Sequence, residues 1–337
     1  MTTSRVAELL RKPGDPQRAT FLELFFDLVF VLAFTQLSHG LIQHLDWAGA
    51  FRTLLVISIM GGSLVMAAAL PGAFGDTGLV FAVVYFAIQL GRSIFLPHGT
   101  TRGLLWTLAV AVEYGAFVLH YPTPGLGRSR ESELPVVAEH LSERYRQFFI
   151  VALGELILLT GLAVTGTGFT TDRTAAIVVS FATTVLLWRI YIHRAGQLLP
   201  AAIAAVPDPD RLARSASYAH LVMVAGIVVT AVGDQLVIVQ PLGQTRPAWI
   251  AVILGGPALF MAGRALLEYE VFKRVPRDRP VALFVLAAMS PAMLLVPPLL
   301  VAVAATLVLA LNAVSDATRA RRRPPSHRGH QADHRDG

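Results

Sequence analysis

The stretch Phe21-Leu-Glu-Leu-Phe-Phe-Asp-Leu-Val-Phe-Val-Leu-Ala-Phe-Thr-Gln-Leu-Ser-His39 decides the class of fold to which this chain belongs. It is almost entirely apolar and nearly as long as the roughly 20 residues that a membrane-spanning helix needs. Glu23 and Asp27 are one helical turn apart, and with Ser38 they fall on one face of the helix. A charged side chain inside a bilayer costs about 2.5–3.5 kcal/mol on insertion scales, so a retained one usually serves a pathway, a relay or helix packing.

The whole chain has the composition of a membrane protein. Of its 337 residues, 54% are hydrophobic and only 15% are charged, whereas a soluble domain has about 25% charged residues. The mean hydropathy is +0.59. The sequence contains no cysteine, which excludes disulfides, thiolate catalysis and cysteine-ligated metal centres.

We predict an all-α fold, a polytopic integral membrane bundle of about ten transmembrane helices. The spans are expected at residues 21–45, 50–71, 77–97, 103–121, 147–167, 174–192, 218–239, 247–269, 281–296 and 298–314. The last two share one long apolar run that has Pro297-Pro298 near its middle, and a proline pair breaks a helix. Two short helices joined by a tight turn are therefore favoured over one long kinked helix.

Basic residues are distributed unevenly between the loops on the two sides. With the N-terminus inside, 22 of the 28 basic residues lie in cytoplasmic segments, 4 lie outside, and Arg92 and Arg264 lie within spans. The positive-inside rule then predicts that both termini are cytoplasmic. We expect a cytoplasmic N-terminal segment (1–20), a transmembrane domain (21–314) and a basic, disordered cytoplasmic tail (315–337), in the inner (plasma) membrane of the cell. The N-terminus has no signal-peptide pattern, so the first span is expected to be an uncleaved anchor.

Several sequence blocks resemble the bacterial low temperature requirement A family. They are Leu22-Glu-Leu-Phe-Phe-Asp-Leu-Val-Phe-Val31, His140-Leu-Ser-Glu-Arg-Tyr-Arg-Gln-Phe-Phe-Ile-Val-Ala-Leu-Gly-Glu155, Tyr218-Ala-His-Leu-Val-Met-Val-Ala-Gly-Ile-Val-Val-Thr-Ala-Val-Gly-Asp-Gln-Leu-Val237 and Gly255-Gly-Pro-Ala-Leu-Phe-Met-Ala-Gly-Arg264. One departure is Trp188-Arg-Ile-Tyr191-Ile-His193, where the family pattern resembles Trp-x-x-Tyr-Phe-Asp and has a carboxylate. The resemblance implies a multi-pass membrane protein connected with growth in the cold, and it assigns no molecular activity.

Buried acids on different spans are expected to share one depth in the membrane. At about 1.5 Å per residue, Asp27, Glu113 and Glu155 lie about 10–12 Å from the cytoplasmic ends of spans 1, 4 and 5. Arg264 lies about 8 Å from the same side in span 8. Together with Glu23, these residues form the predicted intramembrane network, which could hold a proton. The alternative is that each acid pairs separately and only holds helices together.

Two further groups of polar residues stand near the ends of spans. Arg92 in span 3 and Asp234 in span 7 have similar depths near the outer side, which favours an ion pair, and Gly233 would allow a close approach of helices. Tyr218 and His220 open span 7 at the cytoplasmic edge. They have either a functional role or a role as interface anchors.

His140, Glu143 and Arg144 precede span 5. His140 and Glu143 share a helix face and could ligate a metal, but a solvated helix with ordinary pairing between neighbouring turns is favoured. No second group of ligands has convincing spacing, so we predict no metal and no cofactor.

Two classes of function remain open. The first is a secondary transporter or an ion or proton pathway that uses the buried carboxylates, and this interpretation is favoured. The second is a non-transporting accessory or envelope-homeostasis protein whose acids are structural. The sequence has neither a phosphate-binding loop nor a nucleophile elbow, so no enzyme is expected. The expected partners are the lipid bilayer and a small ion or proton, and the basic stretch at 319–323 is interpreted as a lipid anchor rather than a nucleic-acid site.

Overall fold

The computed structural model describes residues 31, 34–51, 53–54, 57, 138–165, 169–192, 199, 202, 206 and 209–321. Every regular element in these ranges is helical. From residue 138 onward the α-helices are Ala138–Thr165 (α1), Thr171–Ile192 (α2), Pro209–Val239 (α3), Pro247–Ile253 (α4), Gly255–Phe272 (α5), Asp278–Met289 (α6) and Pro298–Arg321 (α7). A 3₁₀ turn at Ala292–Leu295 joins α6 to α7.

Five helical segments of the described chain are long and apolar enough to cross a membrane. They are Tyr145–Thr165, Thr171–Ile192, Ser215–Val239, Pro247–Phe272 and Pro298–Arg321. Large apolar side chains such as Phe284 and Leu311 are exposed on the outside of the bundle, as lipid contact requires. An all-α membrane fold is therefore confirmed for this part of the chain. The predicted spans 50–71, 77–97 and 103–121 lie largely or wholly outside the described residues.

The first predicted span is described only in its second half. Residues 34–43 are helical, a turn follows at 44–46, and helical residues resume at 47. The carboxylate of Asp46 accepts a hydrogen bond from the Gly49 backbone N–H at 2.7 Å, which satisfies a free donor at the start of the next helix. This turn agrees with the predicted boundary between the first two spans.

The centre of the bundle is the contact between α3 and α5, where two backbones touch. A Cβ on Gly226 would lie 2.8 Å from the Phe260 Cα, and one on Gly263 would lie 2.7 Å from the Met223 backbone nitrogen. Gly233 also lies close to α4, because its Cβ would lie 3.0 Å from the Ile253 Cα. The close approach predicted at Gly233 is confirmed. Small residues allow such contact, which is a main source of helix association in lipid.

A local break divides the fourth membrane-length segment into α4 and α5. Pro257 has no backbone N–H and cannot donate to the Ile253 carbonyl four residues earlier, and α4 ends at Ile253. At the other end, Lys273 adopts a left-handed conformation with φ of 51° and donates its N–H to the Tyr269 carbonyl. This closes α5 and turns the chain toward α6.

The apolar run 281–314 forms two helices, as predicted, and not one kinked helix. The expected span 281–296 is wrong in its end, because α6 has only 12 residues, ends at Met289 and is not among the membrane-length segments. Pro291 and the pair Pro297-Pro298 lie in the connection between α6 and α7. The two helices are antiparallel, because Arg279 at the start of α6 contacts Asp316 near the end of α7. The helix α7 continues to Arg321, beyond position 314 where the transmembrane domain was predicted to end, and its last turns are held by ion pairs.

Candidate functional site

A cluster of buried charges fills one end of the bundle, where α5 ends, α6 begins and α7 ends. Its centre is Arg279, whose side chain is fully buried. The Arg279 Nε and Nη2 atoms donate to the Glu268 carboxylate at 3.2 and 3.1 Å. Nη2 also donates to Asp316 at 2.7 Å, and Nη1 donates to the Asn312 side-chain oxygen at 3.3 Å. These contacts compensate a guanidinium that would be very costly to bury alone.

The protonation of Arg279 follows from these neighbours. It opens α6 ahead of the predicted span 281–296. Burial lowers the pKa of the Arg279 guanidinium, but the hydrogen bonds and charges of Glu268 and Asp316 more than offset burial, and its pKa lies above the ordinary value. Arg279 is therefore a fixed positive charge.

The rim of the cluster reaches the surface at Arg319. Arg319 donates to both carboxylate oxygens of Asp278, one of them at 2.7 Å, and to Asp316 at 2.6 Å. Burial raises the pKa of Asp278, but Arg319 and Arg279 lower it by more, so this pKa lies below its ordinary value. Asp278 is therefore ionised at neutral pH, and the rim ties the start of α6 to the last turn of α7.

The cluster extends inward through Arg264, which is fully buried on α5. Its Nη2 atom lies 3.4 Å from the Glu268 carboxylate one turn further on, and its Nε donates to the Ile190 carbonyl of α2 at 3.1 Å. We expected a carboxylate within 4 Å of Arg264 and favoured Glu155 or Asp27 as the partner. Glu268 lies at that distance as an i,i+4 pair on the same helix. Asp27 lies outside the described residues, so its pairing with Arg264 stays a prediction.

An aromatic group with one histidine lies beside Arg264. His220 of α3 is buried and stacks on Tyr145 with ring centroids 4.3 Å apart. Its Nδ1 lies 2.7 Å from the Ala216 carbonyl, and its Nε2 lies 3.2 Å from the Tyr191 hydroxyl. This arrangement gives His220 an interior position, in contrast to an interface anchor, while Tyr218 is exposed.

Glu155 lies deeper, in the interior of α1, and meets the first predicted span. The Thr35 hydroxyl donates to its Oε2 at 2.8 Å, and Ser38 lies buried one turn further along the same helical stretch. Glu155 itself is fully buried. Within the described ranges, it forms no ion pair with a basic side chain. Glu155 is therefore a carboxylate held by a hydroxyl, in contrast to the charge-balanced cluster.

Asp234 is the second buried carboxylate of this kind. The Ser180 hydroxyl of α2 donates to its Oδ2 at 2.7 Å, and Ser180 is itself 3.0 Å from the Thr160 hydroxyl of α1. Three helices thus meet through a hydrogen-bonded row of hydroxyls that ends on the carboxylate. The expected partner of Asp234, Arg92, lies outside the described residues.

The other predicted site residues are placed only in part. Glu23, Asp27 and Glu113 lie outside the described residues, so the predicted intramembrane network stays a prediction. His140, Glu143 and Arg144 lie in the first turns of α1, and their side chains are also outside the described set. Among the described residues, no group of three His, Cys, Asp or Glu side chains could hold a metal ion.

Sequence reasoning missed the residues that make the largest charged cluster. Arg279 had been used only to orient the chain, Arg319 had been interpreted as part of a lipid anchor, and Glu268, Asp278 and Asp316 were not considered. A signal was present, because Arg264 and Glu268 are four residues apart on one span and Asn312 and Asp316 are four apart on another. Polar residues at that spacing, just inside the ends of apolar runs, share a helix face and indicate a buried pairing site.

A polytopic helical membrane protein with ionisable residues inside its bundle is the class that this fold and these sites define. The family model of the bacterial low temperature requirement A protein (LtrA) matches residues 18–60 and 92–314. The chain belongs to this family, which confirms the resemblance seen in the sequence blocks.

One relative gives the same result over most of the chain. A protein of Rhizobium meliloti (strain 1021), described as uncharacterized, is 32% identical to this chain over 83% of this chain and 84% of its own length. No solved structure matches the chain.

Proposed function

We propose that this protein is a secondary transporter or ion pathway that moves protons through the membrane by way of buried carboxylates, with Glu155 as a central proton-binding residue. The observation that carries the proposal is the surroundings of Glu155. A fully buried carboxylate in a membrane span is costly unless a cation or a proton neutralises it. The described contact of Glu155 is a hydroxyl, and a hydroxyl can serve either the ionised or the protonated form.

The number of spans and the orientation in the membrane are part of the same proposal. About ten spans and two cytoplasmic termini, in the inner membrane, would place the charged cluster at the cytoplasmic end of the bundle. Arg274 and Arg277, in the loop beside the cluster, and the basic residues after Arg321 support this orientation through the positive-inside rule. The acids Glu23, Asp27 and Glu113 would extend the path from Glu155 toward the first and fourth spans.

Proton flux into liposomes tests the role of Glu155. The purified protein is reconstituted into vesicles that contain a pH-sensitive dye, and a membrane potential that is negative inside the vesicles is imposed. Wild type should acidify the lumen, and Glu155→Gln should not, because the amide keeps the shape of the side chain but cannot titrate. The matched control is Glu270→Gln, which changes a carboxylate of α5 that binds the exposed Lys273 at 2.9 Å.

Flux in Glu155→Gln equal to that of wild type would overturn the proposal, provided that both proteins insert and elute alike. Lost flux in Glu155→Gln with normal flux in Glu270→Gln would support it. Growth in the cold, in a host that depends on the protein, should follow the same order at equal membrane abundance.

A non-transporting membrane protein is the second candidate, and the charge-balanced cluster favours it. Three guanidinium groups and three carboxylates that neutralise one another are suited to holding helices together. This candidate predicts that wild type gives no flux and that Glu155→Gln lowers only abundance or thermal stability.

A further inference from the structure

We infer that Thr160, Ser180 and Asp234 form a second proton-binding site, in which two hydroxyls conduct a proton between a cavity on the bundle surface and the Asp234 carboxylate. The inference rests on the proposed function and adds a second proton-binding site that acts in series with Glu155, so loss of either site should slow the flux. None of these hydroxyls was singled out from the sequence, because each lies on a different helix from Asp234.

The geometry is a continuous chain across three helices. Thr160 on α1 lies 3.0 Å from Ser180 on α2, and Ser180 donates to Asp234 on α3 at 2.7 Å. Both distances are within the range of good hydroxyl hydrogen bonds. Ser180 and Asp234 are 2% and 7% exposed, so the chain is shielded from competing water along most of its length.

No charged neighbour in the described residues fixes the ionisation of Asp234. At its end of the bundle, the described charged residues on the elements packed against α3 are Asp172 and Arg173 on α2 and Arg246 before α4. None of them forms an ion pair with Asp234. The described charges of α5 and α7 that form ion pairs lie at the opposite end of the bundle, in or beside the cluster.

The hydrogen-bonded chain Thr160–Ser180–Asp234 can satisfy all of its polar atoms in each protonation state of the carboxylate. When Asp234 is ionised, Thr160 donates to Ser180 and Ser180 donates to Asp234. When Asp234 is protonated, its O–H donates to Ser180 and Ser180 donates to Thr160, whose hydroxyl then donates to the Leu156 carbonyl at 2.8 Å. No polar atom of the chain loses its partner in either direction, so reversal of the chain avoids the cost of a buried unsatisfied group.

Proton entry follows from this reversal. A proton that binds the Thr160 oxygen releases the hydroxyl proton of Thr160 to Ser180, and Ser180 releases its own proton to Asp234 Oδ2. One proton enters, one carboxyl O–H bond forms, and the two hydroxyls are restored. Exit is the reverse sequence.

Thr160, at the end of the hydrogen-bonded chain away from Asp234, lines a cavity. A cavity of about 260 Å³ lies between α1 and α2 and is lined by Ile157, Thr160, Ile177, Val178, Phe181 and Thr184. Most of its lining is apolar, and Ile157, Val178 and Phe181 are more than half exposed. Thr160 lines the cavity and also begins the chain of hydroxyls, so a proton that reaches the cavity has a hydrogen-bonded route to Asp234.

Infrared titration and liposome flux test the site together. The protonated Asp234 should give a carboxylic acid C=O band that rises as pH falls, is absent in Asp234→Asn and is shifted in Ser180→Ala. Ser180→Ala and Thr160→Val should slow proton flux by about 100-fold, the loss typical when a proton-transfer group is removed. Thr160→Ser keeps the hydroxyl and should conduct normally.

The matched control is Thr183→Val. It removes a comparable bond between helices, the 2.8 Å contact of Thr183 with Thr306, which is not part of the chain. Normal flux in this variant would show that loss of a hydroxyl pair between helices is not by itself inhibitory.

The results separate the site from the proposed function. If Ser180→Ala and Thr160→Val conduct like wild type while Glu155→Gln is inactive, the hydroxyl chain is wrong and the proposed function stands. If no titrating band disappears in Asp234→Asn, the site is overturned whatever the flux shows. A wild type that conducts no protons but has the Asp234 band would support the site and contradict the proposed function.

Discussion

Replacing Arg279 with methionine should be among the most destabilising single changes in the described part of the chain. Methionine fills a similar volume but leaves Glu268 and Asp316 buried without their shared guanidinium. Removal of one partner from a buried ion pair costs about 3–5 kcal/mol. Glu268 keeps Arg264 at 3.4 Å and Asp316 keeps Arg319 at 2.6 Å, so the lower end, about 3 kcal/mol, is expected.

Thermal unfolding of the detergent-solubilised protein measures this loss, which should lower the Tm by roughly 5–10 °C. The matched control is Arg274→Met in the neighbouring loop, where the arginine is exposed and the change should be about 0.5 kcal/mol or less. Adding Asp316→Asn to Arg279→Met should restore part of the stability, because it removes a buried excess negative charge while Arg319 keeps Asp278 as its partner. If Arg279→Met and Arg274→Met unfold together, the cluster does not hold the helix ends, and the reasoning from burial is refuted.

Two further predictions concern packing and pH. Gly226→Ala places a methyl group against the α5 backbone and should lower the stability by about 1–3 kcal/mol. The control Gly161→Ala has no described atom within 4 Å of the new Cβ and should be neutral or stabilising by up to about 1 kcal/mol. Equal Tm values for the two variants would contradict the close contact of α3 and α5. The lowered folded-state pKa of Asp278 means that its contribution to stability is present above its unfolded pKa of about 3.9 and is lost as pH falls through the lower folded value. Asp278→Asn should therefore lower the Tm at neutral pH and make the Tm fall less steeply below about pH 4. If the dependence of Tm on pH below about pH 4 is the same as in wild type, this contribution of Asp278 is contradicted.

The sequence predicts the helices of the described region well, because apolar length is a local property. The break in the run 281–314 was predicted from Pro297-Pro298, and α7 does begin at Pro298, but α6 ends earlier, at Met289. The close approach at Gly233 was also predicted from the small residue alone. Helix ends were predicted less well, since the polar first turns of α1 and α3 lie outside the apolar pattern yet continue the same helices.

The pairing of charges could not be predicted in the same way. Arg279 and Asp316 are 37 residues apart, and their contact depends on how α6 folds back on α7. Arg264 was expected to bind a carboxylate on another span because estimates of depth place side chains by height and carry no information on rotation about the helix axis. The nearer carboxylate, Glu268 on the same helix, has a local signal that depth alone does not reveal.

If the protein moves protons as proposed, the distribution of buried charge indicates where a proton would bind. In the cluster, Arg264, Arg279 and Arg319 face Glu268, Asp278 and Asp316, and a proton added there would break an ion pair. Glu155 and Asp234 instead have hydroxyl partners, whose hydrogen bonds can reverse when the carboxylate gains a proton. Amide substitutions should therefore act differently in the two places. Amide substitutions in the cluster should reduce stability, and those at Glu155 and Asp234 should reduce proton flux. A transporter of this kind would separate the residues that hold its helices together from the residues that titrate.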